Sequence, residues 1–438
     1  MSDTPDNATT RTPPTDTFDF NPMTGRDRAD PFAFYAEARE RPVAFSPTIG
    51  AYMVSRYADI ETVLADPETY SSSASFPSSY GPHSPEEVLN ELRRGEVPET
   101  RMVVNDDGED HAWTRRVLDL AFSGPRVRAL VPLMRARAHE LIDTLPAGGA
   151  DLVADYAAPL VRTVVDTVMG LPTEDAAQTQ AWSDAQILLW NPLAPVADRV
   201  EAAKQLGDYT RYMQPLIDER RNERRDDLMS DLIHGGNGLP GLPDDRVHSI
   251  IRGVRIAGFD TTRDAITSTV LALLQRPEVQ RRVTADPAGT VTKLSQEVLR
   301  RDAPHRGLFR LVTRDTELGG TALEKGSMLL LLFGSANRDE TVFPDPDKLD
   351  LDRANAHKHL AFGKGLHSCP GEPVARAEIR VAVETLVKRV RGLKLAPDYE
   401  PTYIASYLFR GLERLDVTWD EILAEGEPAA SAAKCPVH

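Results

Sequence analysis

The stretch FGKGLHSCPG, at residues 362–371, decides the fold of this 438-residue chain. Two glycines before the cysteine permit backbone conformations that are closed to other residues, so the loop can approach a flat ligand closely. Pro370 has no amide hydrogen and therefore suits the start of the helix predicted to follow. Cys369 would then lie at a helix N-terminus, where free amide groups and the helix dipole stabilise a thiolate. The stretch predicts a sulfur atom that can bind iron.

Two other interpretations of Cys369 stay open on these residues alone. In the first, Cys369 is a small buried apolar residue between ordinary turn glycines. In the second, it is a nucleophilic thiol, although no flanking motif supplies the oriented histidine that such a thiol needs. Only one other cysteine occurs, Cys435, and this count excludes a disulfide framework and a four-cysteine zinc or iron–sulfur site within one chain.

The composition is that of a globular protein, with 41% hydrophobic and 27% charged residues. We expect a disordered lead at residues 1–17, one large folded unit at 18–422 and a flexible tail at 423–438. The net charge of -16 argues against broad attraction to nucleic acid or anionic lipid. The apolar runs are far shorter than the ~20 residues of a membrane-spanning helix, and no secretory signal begins the chain. We expect a cytoplasmic protein without membrane or nucleic-acid partners.

Helical periodicity dominates between the termini, and the clearest helix is predicted at residues 244–275. It would be ~48 Å long at 1.5 Å per residue. Its middle, AGFDTT at 257–262, places glycine, an acid and two threonines where a stable helix prefers Ala, Leu or Glu. Such a weak turn inside a buried helix indicates a functional groove. Further helices are expected at 277–285, at 290–302 and from 370 onward, with strands at 51–55 and 328–333.

These features together resemble the cytochrome P450 family, in particular its soluble bacterial members. The family's haem-binding signature is Phe-Gly-x-Gly-x-His/Arg-x-Cys-x-Gly, and residues 362–371 match every defining position. The resemblance extends from roughly residue 18 to 420. It implies a mainly α fold with a smaller β region, a single large helical domain with haem b between the long central helix and the helix after the cysteine loop. Cys369 would be the axial iron ligand.

The resemblance also assigns an acid–alcohol pair to the central helix, matched here by Asp260 and Thr261. Cleavage of the O–O bond of dioxygen consumes protons, which a carboxylate and a hydroxyl beside the iron can relay from water. Asp260 would deliver protons and Thr261 would hold the reacting oxygen by a hydrogen bond. The alternative from the residues alone is an Asp-Thr-Thr sequence that caps a helix break.

Further site residues follow from the resemblance by motif. Glu297 and Arg300, in Glu-x-x-Arg, and Arg353 would form a buried structural triad, although such pairs on helices are usually solvated. The haem propionates need cationic partners. The family pattern offers four, each of which would otherwise be interpreted as a surface charge: His111, Arg115, Arg310 and His367. The haem contacts so assigned are His111, Arg115, Ala257, Gly258, Arg310, Phe362, Gly363, His367, Cys369 and Gly371.

The resemblance implies a monooxygenase that uses O2 as co-substrate and hydroxylates or oxidatively dealkylates a small organic molecule. The pocket is expected from residues 80–104 and 304–309, and from Val254, Ala257, Leu308, Phe309, Ile404 and Tyr407, which favour an apolar or aromatic substrate. Because no flavin or Rossmann motif is present, electrons are expected from a ferredoxin and its reductase. They would dock on a basic face of a monomer, formed by Arg115, Arg116, Arg126, Arg128 and Lys364.

Two rival functions remain on the sequence. A peroxide-driven peroxygenase of the same fold would need no electron partners, but it would have less use for the proton relay of Asp260 and Thr261. A non-catalytic haem binder or gas sensor would not require the acid–alcohol pair either.

Overall fold

Helix α11 (Asp244–Leu274) runs through the centre of the computed structural model, which describes residues 18–81, 84–99, 101–191, 194–236 and 238–426. Pro243 precedes its first turn, and Asp244 and Asp245 place negative charge where the helix dipole favours it. The α-helix continues without interruption through residues 257–262, so the unusual residues there do not break it. Tertiary packing against other helices outweighs their low helix propensity.

Fifteen α-helices lie in the described residues. They are α1 (Gly25–Ala29), α2 (Phe32–Glu40), α3 (Tyr57–Ala65), α4 (Glu86–Arg94), α5 (Gly108–Ala121), α6 (Gly124–Asp143), α7 (Ala158–Met169), α8 (Ala176–Leu189), α9 (Val196–Asn222), α10 (Leu228–His234), α11, α12 (Pro277–Ala285), α13 (Pro287–Arg301), α14 (Phe333–Ala336) and α15 (Glu372–Arg389). The predicted fold class, mainly α with a smaller β region, is confirmed.

The described residues also contain twelve short strands. They are β1 (Val43–Ser46), β2 (Ala51–Val54), β3 (Tyr70–Ser71), β4 (Ala150–Asp151), β5 (Leu308–Val312), β6 (Thr316–Leu318), β7 (Thr321–Leu323), β8 (Met328–Leu331), β9 (Val390–Arg391), β10 (Lys394–Leu395), β11 (Asp416–Thr418) and β12 (Glu421–Ile422). Five of them form one sheet in the order β1-β2-β8-β5-β3, in which only β2 and β8 pair in parallel.

Strand β5 orients three site residues by its alternation. Successive side chains of a strand point to opposite faces, so Leu308 and Arg310 share one face and Phe309 takes the other. Phe309 accordingly packs against an apolar cluster that contains Phe20 and Phe34, away from α11. The sheet therefore directs Leu308 and Arg310 toward the same side of the molecule.

The main core is formed where α11, α13 and α15 pack with α6 and α7. Ile266 and Val270 of α11 and Ile379 and Val383 of α15 are each at most 1% exposed. Burying a side chain of this size contributes about 1.5–3 kcal/mol. This packing fixes α11 against the start of α15, where Cys369 lies.

Several predicted boundaries need correction. The last long helix begins at Glu372 rather than at Pro370, and the proline in its first turn is Pro373. Helix α13 begins at Pro287, three residues before the predicted start, because the Asp286 side chain accepts from the Gly289 amide and caps it. Strand β8 ends at Leu331, after which α14 begins.

The predicted lead at residues 1–17 and most of the predicted tail lie outside the described residues. Leu423, the first residue of that tail, is 3% exposed and its amide donates to the Arg389 carbonyl at 2.8 Å. No helix in the described ranges combines the length and the apolar character needed to cross a membrane.

Candidate active site

Backbone contacts hold Cys369 in the loop before α15. Its amide donates to the carbonyl oxygen of Phe362 at 2.8 Å. Gly363 and Gly365 have φ angles of 65° and 72°, in the left-handed region where a side chain would be strained. A Cβ atom on Gly365 would also lie only 3.0 Å from the carbonyl oxygen of Leu64. The glycines thus permit the turn that presents the sulfur atom.

The surroundings of the sulfur act on its protonation in two directions. Burial and the charge of Glu372 raise the pKa of the Cys369 thiol, and backbone hydrogen bonds from Gly371 and Glu372 and the charge of Arg115 offset this only in part. Hydrogen bonds to a thiolate are among the means by which proteins tune iron–thiolate centres. One sulfur with backbone amide donors fits a residue that would hold a haem iron.

Four basic side chains lie near one another beside this loop, and we call His111, Arg115, Arg310 and His367 the open cluster. The rings of His111 and His367 are 4.1 Å apart, and Arg115 donates to both the carbonyl and the hydroxyl oxygen of Ser368. Nδ1 of His111 and Nε2 of His367 are buried without a hydrogen-bond partner. His367 Nε2 is 3.7 Å from the Asp107 carboxylate, too far for a hydrogen bond.

Arg310 shows most clearly what the open cluster lacks. It is 3% exposed and donates to Ser75 Oγ at 2.8 Å and to the Phe309 carbonyl at 2.7 Å, and no carboxylate of the described residues forms an ion pair with it. Burial lowers the pKa of Arg310 to about 10 and that of His367 to about 4. Because a buried cation without an anion is costly, the open cluster fits carboxylates brought by a ligand, such as the two propionates of haem.

The acid–alcohol pair lies on α11 opposite the cysteine loop. Thr261 lines the cavity, and its hydroxyl donates to the carbonyl of Ala257, one turn earlier, at 2.7 Å. Asp260 lies beside it and accepts from Arg263 at 2.9 Å, while Arg263 also contacts Asp264 at 2.8 Å. One oxygen of each aspartate is buried without a partner. Two carboxylates therefore share one guanidinium.

Burial acts on both of these carboxyls. It raises the pKa of Asp260 and raises the pKa of Asp264 to about 7, and Arg263 opposes the effect in each case. A carboxyl with a raised pKa can hold and release a proton near neutral pH. Asp264 can therefore hold a proton on α11, one helical turn from Thr261.

One cavity joins Cys369 to Thr261. Ala257 and Gly258 line it on α11, Phe362, Gly363 and Gly371 line it at the cysteine loop, and His111, Arg115 and His367 line it beside that loop. Arg310 is the one predicted haem contact that does not belong to this lining. Among the predicted pocket residues, Val254, Ala257 and Leu308 also lie in the lining.

The pocket prediction needs a correction at three positions. Phe309, Ile404 and Tyr407 do not belong to the lining, although their side chains are all described. Phe309 points to the other face of β5, as its neighbour Leu308 takes the cavity side. In the segment of Ile404 and Tyr407, Phe409 is the residue that reaches the cavity.

Comparison with known proteins decides the interpretation of this site. A model described as cytochrome P450 matches residues 83–402. The chain belongs to the cytochrome P450 family. It is 33% identical to the mycinamicin IV hydroxylase/epoxidase of Micromonospora griseorubida, over 88% of this chain and 94% of that protein. It is 32% identical to cytochrome P450-SU2 of Streptomyces griseolus, over 84% and 87% respectively.

Solved structures agree with this assignment. A cytochrome P450 from Chondromyces apiculatus superposes with a TM-score of 0.81 at 29% identity, covering 93% of this chain and 99% of that one. The haem domain of a Tepidiphilus thermophilus P450 gives a TM-score of 0.82 at 28% identity, covering 92% and 97%. The protein is a P450 oxidoreductase of the monooxygenase class that uses haem, with O2 as co-substrate.

The P450 also contains a second buried charge group, which we call the closed cluster: Glu297, Arg300 and Arg353. Arg300 donates to both carboxylate oxygens of Glu297 at 2.8 Å, and Arg353 donates to one of them, also at 2.8 Å. Arg300 also donates to the Asn337 carbonyl at 2.9 Å. The triad predicted by motif is therefore assembled, and it ties α13 to the segment that leads to Cys369.

The predicted basic face of the P450 carries less uncompensated positive charge than its five residues suggest. Arg126 pairs with Asp226 and Asp231, and Lys364 pairs with Glu61, so their charges are compensated. Arg115 belongs to the open cluster. Only two of the five predicted residues, Arg116 and Arg128, are exposed and lack an ion pair among the described residues.

Five of the residues that line the P450 cavity illustrate what no motif singled out. They are Phe76, Trp190, His305, Glu378 and Phe409. Each comes from a different segment and none belongs to a motif. Only the predicted segment 304–309 gave a signal, and it included His305 without singling it out.

Proposed function

We propose that this P450 hydroxylates or oxidatively dealkylates a small apolar or aromatic molecule in the cytoplasm, with electrons from a ferredoxin and its reductase. The observation that carries the proposal is the single cavity in which apolar side chains meet both Thr261 and the Cys369 loop. Val254, Leu308 and Phe409 offer contacts to an apolar body rather than to a charge. The relatives named as hydroxylases support the reaction class.

Different residues of the chain would bind the haem and relay protons. Bound haem supplies the redox chemistry that inserts one atom of O2 into a C–H bond, while the other atom leaves as water. Cys369 would hold the iron, and the open cluster would hold the propionates. Thr261 would position the proton relay, and Asp260, whose pKa is raised by burial, would deliver protons to it.

A reconstituted assay tests this function. The haem-loaded protein is supplied with NADH, a ferredoxin reductase and a ferredoxin, and NADH consumption and product are followed with a panel of apolar and aromatic compounds. We expect at least one compound to stimulate NADH consumption and to yield a hydroxylated or dealkylated product. Turnover with hydrogen peroxide alone would favour the peroxygenase, and no stimulation by any compound would favour a haem binder.

A matched pair of variants tests the relay. Thr261→Val removes the hydroxyl at the cavity, so the product formed per NADH should fall several-fold while hydrogen peroxide rises. Thr269→Val removes a hydroxyl that makes the same type of bond, to the Ala265 carbonyl at 2.6 Å, but lies outside the cavity lining. It should leave coupling unchanged. Equal coupling in both variants would remove Thr261 from the relay.

A further inference from the structure

His305 is a polar ring in an otherwise aromatic part of the cavity. It lies between α13 and β5, and its backbone pairs with that of Phe409. The ring centroid is 5.0 Å from that of Phe409, 6.4 Å from that of Phe76 and 6.5 Å from that of Phe333. All four residues line the cavity. Contacts with these three phenylalanine rings thus fix the orientation of the His305 ring.

Neither ring nitrogen of His305 forms a hydrogen bond with another side chain of the described residues. Nδ1 is fully enclosed and unpaired. Nε2 is not enclosed in this way, and because His305 lines the cavity this edge of the ring faces open space. Burial lowers the pKa of His305 to about 4, against a smaller opposite effect of the Gly307 backbone, so the ring is neutral near pH 7. A neutral ring with an open nitrogen is suited to one hydrogen bond with a ligand.

Few other polar groups face this side of the cavity. The hydroxyls of Thr261 and Thr262 lie on α11, and that of Thr261 is already bonded to Ala257. The other polar side chains of the described lining are the indole of Trp190, whose ring centroid is 5.2 Å from that of Phe76, and groups of the open cluster, the cysteine loop or α15: His111, Arg115, His367, Ser368, Cys369 and Glu378. His305 is therefore placed to recognise one polar group on a ligand whose remainder is apolar.

We propose that His305 selects substrates that carry a hydroxyl group, phenolic or alcoholic, by exchanging a hydrogen bond with it at Nε2. This inference rests on the proposed function and names the substrate class within it. A hydroxyl both donates and accepts, so it pairs with either tautomer of a neutral imidazole. A carboxylate or an ammonium group would lose its hydration among aromatic rings without gaining an opposite charge.

The same geometry explains why a substrate without the hydroxyl binds less well. Its apolar body still contacts Phe76 and Phe409, but it displaces water from Nε2 and leaves that nitrogen unpaired. Sites that form a hydrogen bond to a substrate reject analogues lacking the group more strongly than apolar pockets reject an added one. His305 thus acts on specificity, whereas Thr261 and Asp260 act on the reaction.

The test compares 4-propylphenol with propylbenzene as calorimetric ligands of the haem-loaded enzyme, with 4-propylbenzoate as the anionic probe. Wild type should bind the phenol roughly 5- to 100-fold more tightly than the hydrocarbon, the range expected for one unsatisfied buried group. His305→Phe keeps an aromatic ring and should bring this ratio near one. His305→Gln keeps a hydrogen-bonding group and should retain part of the preference.

Several results would overturn the proposal. They are equal affinity of wild type for phenol and hydrocarbon, including no binding of either, an unchanged ratio in His305→Phe, and tighter binding of the benzoate than of the phenol. All variants are compared at equal haem content, with NADH-driven turnover of a panel substrate measured alongside. Turnover that continues while the affinity ratio fails to change rejects the role of His305 and leaves the proposed function standing.

Discussion

The closed cluster and the open cluster are both basic and largely buried, yet they are built in opposite ways. In the closed cluster, Glu297 lies between two arginines at 2.8 Å, and backbone carbonyls accept the remaining N–H groups of Arg300. In the open cluster, Nδ1 of His111 and Nε2 of His367 lack hydrogen-bond partners and Arg310 has no carboxylate among the described residues, although Arg115 pairs with Asp119 at 2.8 Å. We infer that the paired charges of the closed cluster stabilise the fold, whereas the unpaired groups of the open cluster bind a ligand.

This contrast has an energetic basis. Removing one partner from a buried, fully bonded pair leaves a charge without compensation. Removing a buried cation that has no anion costs the apoprotein little and can stabilise it, because the desolvation penalty disappears. Loss of the same cation weakens the ligand whose anion it would meet. Mutations in the two clusters should therefore be distinguished by comparing stability with haem retention.

The largest effect is expected in the closed cluster. Glu297→Gln leaves Arg300 and Arg353 without their carboxylate, and should lower the free energy of unfolding by about 3–5 kcal/mol. The denaturant midpoint of the haem-loaded protein measures this change. Asp352→Asn is the control, since Asp352 pairs with Arg282 and Lys293 at the surface and its replacement should change little. A Glu297→Gln protein as stable as the control would show that the cluster does not hold the fold.

A smaller effect is expected in the open cluster. Arg310→Gln removes a charge-assisted hydrogen bond to a propionate, worth about 1.5–3 kcal/mol, so haem should dissociate roughly 10- to 100-fold faster. The rate of haem transfer to an acceptor protein measures this. The apoprotein of the same variant should be no less stable than wild type. Unchanged haem release together with a destabilised apoprotein would place Arg310 with the structural charges.

Asp264 is an intermediate case, because Arg263 contacts one of its oxygens and the other is unpaired. Its pKa is raised from 3.8 to about 7, so its ionisation disfavours the folded state. The folded protein then binds more protons than the unfolded chain between about pH 4 and about pH 7, and this contribution to stability is lost as pH rises through that window. Asp264→Asn should thus be more stable than wild type above about pH 7.

Each unit of the Asp264 pKa shift is worth about 1.4 kcal/mol. The loss of a partner for Arg263 offsets most of this gain, so the expected net increase in the free energy of unfolding is about 1 kcal/mol at about pH 8. The difference should shrink toward about pH 4, and unfolding curves at both pH values measure it. Asp352→Asn is again the control, since Arg282 and Lys293 lower the pKa of that carboxyl. Its replacement should bring no gain at alkaline pH. A gain in Asp264→Asn that does not vary with pH would exclude titration as its cause.

The sequence predicts those parts of the site that short motifs encode. The cysteine loop, the Asp260–Thr261 pair and Glu297 with Arg300 each lie within a few residues on one element, so their spacing carries their geometry. Arg353 was also found, because a motif leads to it. The strand pattern of β5 was available too, but the choice between Leu308 and Phe309 depends on which face of the sheet meets the cavity.

The remaining site residues depend on tertiary packing. Phe76, Trp190, His305 and Phe409 come from four segments with no shared pattern, and only the fold brings them to one cavity. The compensation of Arg126 by Asp231 is likewise a contact across more than one hundred residues of sequence. No local signal predicts such contacts, and for this reason the basic face was overestimated.

The central claim is that the Cys369 sulfur is the iron ligand, and the reduced carbon monoxide complex tests it most directly. Wild type and Cys435→Ser should both show the strongly red-shifted absorption band of a thiolate-ligated haem, since only Cys369 lies within the haem-binding signature. Cys369→Ser should lose that band at equal haem content. A red-shifted band that survives in Cys369→Ser would contradict the assignment of the ligand and the account built on it.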